Sequence, residues 1–148
     1  MQVSYREHLI HMATIVIFGA TGDLCKRKLI PALHTLFHSN LLPDDFKIIG
    51  ASRSKKTTKS WIKSLGNYSE QFQNLLTYVS CDLSDQKSLA KVKVEGDVTY
   101  FLSVPPERYG DAIVNLKGAG LVDDPEKSRV VIEKPFGHDY KSADNLQS

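Results

Sequence analysis

Apolar residues fall along this chain in five short runs, at residues 14–18, 46–50, 77–81, 98–104 and 129–133. Each run is rich in β-branched or aromatic side chains and is closed by a glycine, a proline or a charged residue, which predicts five strands. The segments between them carry a different period. Leu29, Leu33, Leu36 and Phe37 recur every three to four residues, the stripe of an amphipathic helix ending near Asn40. Trp61, Ile62 and Leu65, followed by Phe72, Leu75 and Leu76, predict one or two helices with a break at Gly66-Asn67. Ser84 or Asp85 caps a short helix through Val92, and a last helix from about Glu107 to Lys117 takes Gly118 as its C-cap.

Strands that alternate with helices imply βαβ units and a parallel sheet. Right-handed crossovers then narrow the fold to an α/β, doubly wound parallel sheet with strand order 3-2-1-4-5. The 148 residues amount to one domain, with no repeats and no internal linker. Residues 1–12 read as a polar leader ahead of a second methionine, Met12, and the domain is expected over residues 13–148. The pattern at Ser148 reads as a helix cut short, so the domain is expected to be truncated at that end.

Composition removes several functions from consideration. A net charge of +2 gives no ground for expecting nucleic acid or an anionic membrane as a partner. No apolar run approaches the roughly 20 residues that span a bilayer, and no secretory signal pattern opens the chain. Two cysteines, Cys25 and Cys81, make no disulfide framework, which points to reduced thiols in a cytoplasmic protein. His34 and His38 stand four apart without a third ligand in register and read as a helix face, so no metal is expected.

The first strand runs directly into Gly19-Ala20-Thr21-Gly22-Asp23-Leu24-Cys25-Lys26. A strand that turns sharply into a helix aims free backbone N–H groups and a positive helix end at one spot, which suits a phosphate or pyrophosphate. Gly19 permits the tight turn and Gly22 a close backbone approach, while Cys25 replaces a third small residue. The same spacing also fits an ordinary tight turn between strand and helix. At the end of the second strand, Arg53 stands with Ser54, Lys55 and Lys56 where an NAD site carries an acid. A guanidinium there suits the 2′-phosphate of NADP, and a solvated basic loop is the other reading. Lys134, held by Pro135 at the end of the fifth strand, either faces the crevice between the strand ends or sits in an exposed turn.

These residues match a known family. Gly19-Ala-Thr-Gly22-Asp23-Leu24 with Lys26-Arg27-Lys28-Leu29, then Ala51-Ser52-Arg53-Ser54, Cys81-Asp82-Leu83, the Phe101 to Pro106 segment and Glu133-Lys134-Pro135-Phe136-Gly137 occur in order. In them the chain resembles the N-terminal, coenzyme-binding part of glucose-6-phosphate dehydrogenase. The resemblance implies a Rossmann-like, NADP-binding domain of an oxidoreductase that converts glucose 6-phosphate to 6-phosphogluconolactone, the entry to the pentose phosphate pathway. It implies that Gly19, Ala20, Thr21, Gly22, Asp23, Leu24, Cys25 and Lys26 cradle the pyrophosphate and that Arg53 holds the 2′-phosphate. Asp82 and Leu83 would border the adenosine, Phe101 and Pro105 the nicotinamide, and Lys134 would reach both coenzyme and sugar phosphate.

The family's α+β substrate domain and its general-base histidine are absent from these residues, so no catalytic residue is expected in this chain. The expectation is a domain that binds NADP without turnover and self-associates through the surface an absent domain leaves. A non-catalytic NADP-sensing module of the short-chain dehydrogenase type shares Gly-Ala-Thr-Gly but lacks Glu-Lys-Pro-Phe-Gly. A remnant domain that binds nothing is a third reading.

Overall fold

The central strand, β1 (Ala13–Phe18), is buried on both faces: Val16 and Phe18 point to one side of the sheet, Ile17 to the other. A strand covered twice needs a continuous apolar run, and this is the most apolar run in the chain. The computed structural model describes residues 13–133. The leader expected at residues 1–12, Lys134 and everything after it lie outside the described residues.

A polar loop and a widened helical turn follow β1. Residues Cys25–Leu29 form a π-helical turn, in which the Ile30 N–H reaches the Cys25 carbonyl, and α1 (Ile30–His38) continues from it. Pro31 accounts for the widening, because it has no N–H to give and its ring would strike a carbonyl in a regular α-helix. There follow β2 (Lys47–Ser52), α2 (Thr58–Leu65), α3 (Glu70–Gln73), β3 (Leu76–Ser80), α4 (Gln86–Leu89) and β4 (Asp97–Leu102). The chain then forms α5 (Tyr109–Gly118) and β5 (Ser128–Ile132). Two helices are therefore present across the Gly66-Asn67 break.

All four strand pairings are parallel and the order is β3-β2-β1-β4-β5, the doubly wound arrangement read from the sequence. Val16, Phe18, Tyr100 and Leu102 pack on one face with Leu89 of α4 and Leu116 of α5. Ile17, Ile48 and Tyr78 pack on the other with Ile30 of α1, Trp61 of α2 and Phe72 of α3.

Boundaries shift by one or two residues at several elements, β2 for example running on from Gly50 to Ser52, and two of the shifts have a visible cause. The fourth strand ends at Leu102: the Ser103 N–H makes a last bond to the Phe18 carbonyl, and the chain then turns away at Pro105. Helix α5 runs through Gly118 instead of ending before it. Its stop is Gly120, whose φ of 75° provides the left-handed residue. The Leu121 N–H then reaches the Leu116 carbonyl and the Gly120 N–H that of Lys117, a Schellman end. Asn40, with φ 56°, closes α1 in the same way.

Candidate functional site

The carboxyl ends of the strands meet around a cavity of about 260 Å³, whose lining includes Gly19, Gly22, Arg53, Leu83, Pro105 and Arg108. This is where ligands sit in open parallel sheets, at the point where the strand order reverses between β1 and β4.

The glycine loop is threaded between two strand ends. The Gly19 and Ala20 N–H groups both reach the Ala51 carbonyl, at 3.0 and 3.2 Å. Gly19 has φ 84°, and a Cβ there would collide with the Ser103 carbonyl. Only glycine fits both demands. Gly22 donates its N–H to the Gly19 carbonyl at 3.0 Å, and a Cβ on it would press that oxygen at 3.3 Å. The helical segment that follows opens at Asp23 and receives no side-chain cap. Asp23 pairs with Arg27 at 3.8 Å on the exposed surface.

The end of β2 supplies positive charge. Arg53 is exposed and lines the cavity, and no acidic residue stands between Gly50 and Lys56. The loop is held from beneath: the Tyr78 hydroxyl donates to the Ser54 carbonyl and takes a hydrogen bond from Ser52 Oγ. At the end of β3, the Asp82 carboxylate accepts from the Ser84 hydroxyl and N–H at 2.6 and 2.9 Å. Those two bonds hold its pKa below the ordinary carboxylate value, and the positive field of Arg53 and Arg108 adds to the effect.

Of the residues singled out in the sequence, Gly19, Thr21, Gly22, Arg53, Leu83 and Pro105 line the cavity together. Ala20 and Cys25 are buried behind the loop, and burial pushes the Cys25 thiol up to about 12. Asp23 and Lys26 are exposed, and Leu24 and Asp82 half-buried, none of the four in the lining. Phe101 packs on the α1–α2 face, because Val98, Tyr100 and Leu102 take the opposite side of β4. Lys134 lies outside the described residues. The preceding residue is tied down, since the Tyr109 hydroxyl donates to the Glu133 carbonyl at 3.0 Å.

Sequence reasoning missed Arg108, a second cation in the lining, although its place just after the Pro105-Pro106 turn was a usable signal. It also missed Ser103, whose hydroxyl is buried without a hydrogen-bond partner beside Gly19. The two histidines of α1 lie with ring centroids 4.4 Å apart, His34 against Tyr68 and Phe72, in an aromatic cluster. Among the described residues no group of three metal-ligating side chains occurs, and no helix is long and apolar enough to cross a membrane. A wider groove of about 640 Å³ beside β3 has lysines as its only titratable residues and lies away from the strand ends at the cavity.

Comparison with known proteins adds to this geometry. A family model described as glucose-6-phosphate dehydrogenase, NAD binding domain, matches residues 16–148. Glucose-6-phosphate 1-dehydrogenase of Aggregatibacter actinomycetemcomitans is 36% identical over 89% of this chain, and that of Bacillus subtilis 33% identical over 90%. The chain spans 31% of the length of each of these relatives. A crystal structure of glucose-6-phosphate 1-dehydrogenase from Mycobacterium avium superposes with a TM-score of 0.75 at 28% identity, over 91% of this chain and 32% of that one. A glucose-6-phosphate dehydrogenase solved in complex with its substrate glucose-6-phosphate superposes with a TM-score of 0.68 at 28% identity, covering 91% of this chain and 33% of that chain.

Proposed function

The chain belongs to the glucose-6-phosphate dehydrogenase family, and from that premise we propose that it binds NADP as the coenzyme-binding part of a cytoplasmic enzyme oxidising glucose 6-phosphate to 6-phosphogluconolactone. One observation carries the choice of coenzyme: a single cavity has an uncapped glycine-loop helix start on one side and Arg53, at an acid-free strand end, on the other. The first feature serves the pyrophosphate that NAD and NADP share, and the second serves the 2′-phosphate that only NADP has.

The residues fit the group. Gly19 and Gly22 keep the loop free of side chains where backbone must approach an anion, and the backbone from Gly19 to Lys26 would hold the pyrophosphate. Arg53, with the Ser52 and Ser54 beside it, would take the 2′-phosphate. Leu83 supplies an apolar wall for the adenosine, with Asp82 at its rim. The Pro105 turn, beside Arg108, would border the nicotinamide half, while Cys25 and Phe101 serve packing. Lys134 would reach toward coenzyme and sugar phosphate. When bound, the coenzyme supplies a nicotinamide ring that accepts the hydride from the sugar.

Transfer of that hydride also needs a base on the sugar hydroxyl. Among the described residues the cavity lining contains neither a histidine nor a carboxylate. We read these 148 residues as binding coenzyme and the base as supplied by residues outside them. Calorimetric titration tests the coenzyme reading: NADP+ binds more tightly than NAD+, and Arg53→Ala removes a preference of about tenfold or more, the worth of a charge-assisted hydrogen bond. An unchanged preference in that variant overturns the assignment of Arg53. Steady NADPH formation by the pure chain with glucose 6-phosphate and NADP+ overturns the assignment of the base to residues elsewhere.

A further inference from the structure

Two aromatic side chains that do not line the cavity connect its two anchoring loops. Trp61, fully buried on α2, donates its indole N–H to the Ala20 carbonyl in the glycine loop, at 3.0 Å and 41 residues away in sequence. Its ring lies 5.7 Å from that of Tyr78 on β3. The Tyr78 hydroxyl reaches on to the Ser54 carbonyl and Ser52 Oγ, on either side of Arg53, and Ser52 Oγ also accepts the Ser54 N–H at 3.3 Å. Gly50 leaves the space the indole fills, since a Cβ there would collide with the Trp61 ring and crowd Ala20 at 2.9 Å. The Tyr78 N–H donates to Thr58 Oγ1 at 3.0 Å, which fixes the start of α2 against β3.

We infer that Trp61 and Tyr78 are the positioning residues of the coenzyme site, Trp61 for the glycine loop and Tyr78 for the loop that carries Arg53. The inference rests on the NADP reading of the cavity. Each aromatic residue holds a backbone carbonyl that would otherwise be free to turn, and each carbonyl belongs to a loop with a different target. The Ala20 loop faces what NAD and NADP have in common. The Ser52–Ser54 loop faces what separates them. The division predicts that Tyr78 governs discrimination and Trp61 governs affinity for both.

The test uses the full chain with NADP+ and NAD+ as probes. Tyr78→Phe keeps the ring against Trp61 and removes one hydroxyl, so NADP+ affinity falls by about 3- to 10-fold, the worth of a neutral hydrogen bond. NAD+ affinity stays unchanged. A merely structural role for Tyr78 would weaken both equally, and that result, or no change in either, overturns its assignment. Trp61 is the chain's single tryptophan, so its indole N–H gives one resonance that can be followed without substitution. That resonance moves on saturation with NADP+ and with NAD+ by similar amounts. An indole resonance unmoved by either dinucleotide overturns the role given to Trp61. Failure of the underlying reading looks different: the unmodified chain then binds neither dinucleotide, or keeps its preference in Arg53→Ala, and the inference falls with it.

Discussion

Three helices of this chain begin with a side chain that closes their own first turn, whereas the helical segment after the glycine loop does not. Thr57 accepts from the Ser60 N–H at the start of α2, Ser69 from Phe72 at α3, and Asp85 from Lys87 at α4. The segment that opens at Asp23 and widens at Cys25 has no such cap, because Gly22 before it carries no side chain, and its acid, Asp23, is exposed and pairs with Arg27. Glycine ahead of a helix forgoes roughly a few tenths of a kcal/mol relative to a capping side chain. Helix α5 likewise starts without a side-chain cap, and both uncapped starts follow turns that line the cavity, at Gly22 and at Pro105 and Arg108. Amides that no side chain caps are thereby left beside the cavity, where a phosphate group would satisfy them.

The substitution with the largest expected effect attacks the loop that turns the uncapped start toward the cavity. Gly19→Ala puts a side chain at φ 84° and against the Ser103 carbonyl. Its cost is about 3 kcal/mol or more, combining a left-handed backbone with overpacking. Urea unfolding should show the lower midpoint, and dinucleotide binding should be lost. A Gly19→Ala chain with unaltered midpoint and affinity would mean that the loop does not depend on this geometry.

A reciprocal pair of substitutions sharpens the contrast between the two kinds of helix start. Thr57→Ala, Ser69→Ala and Asp85→Ala should each lower stability by about 1 kcal/mol and leave dinucleotide affinity alone. Thr21→Asp should do the reverse. Thr21 is exposed and lines the cavity, so stability should stay within about 0.5 kcal/mol. The added carboxylate repels a phosphate, and affinity should drop about tenfold or more, or roughly 1.4 kcal/mol. Equal effects on binding at capped and uncapped starts, read by calorimetry, would remove the distinction.

Much of this arrangement was legible in the sequence because it is local. Five apolar runs with helical spacing between them determine the strand order once crossovers are right-handed, and Gly19, Gly22 and Arg53 stand at strand ends by position alone. Strand alternation also contained the placement of Phe101: Val98, Tyr100 and Leu102 share a face, so Phe101 points to the other. The sequence pattern places the end of α5 at Gly118, and the stop falls at Gly120 instead, because the left-handed φ of 75° is there. The bonds from Trp61 to Ala20 and from Tyr78 to Ser54 were not readable. They join residues 41 and 24 positions apart through the packing of α2 on the sheet, and no local pattern encodes a contact of that range.

The smallest effect at neutral pH concerns Cys25, which tests whom the uncapped start serves. A thiol near a helix N-terminus is ordinarily a candidate for a lowered pKa, because the free amides and the dipole stabilise a thiolate. If Cys25 took that role, the helix would satisfy its own first turn and the contrast with the capped helices would vanish. Its side chain is instead fully buried in the core, where desolvation pushes the thiol from 9.0 up to about 12, and burial likewise takes Cys81 to about 11. The native chain should therefore resist thiol-modifying reagents at pH 8 and react only once unfolded. The stability consequence has a definite sign. The raised values favour the protonated thiol in the fold, so the full contribution is present below pH 9, the unfolded value. It is lost as pH rises toward 11 and 12, by about 1.4 kcal/mol per pH unit for each thiol. Alkaline urea titrations of the unmodified chain and of Cys25→Ala should differ in slope above pH 9 and run parallel below it. Rapid modification of native Cys25 at pH 8 would show a thiolate already occupying the positive end that the glycine loop is argued to hold open for a phosphate.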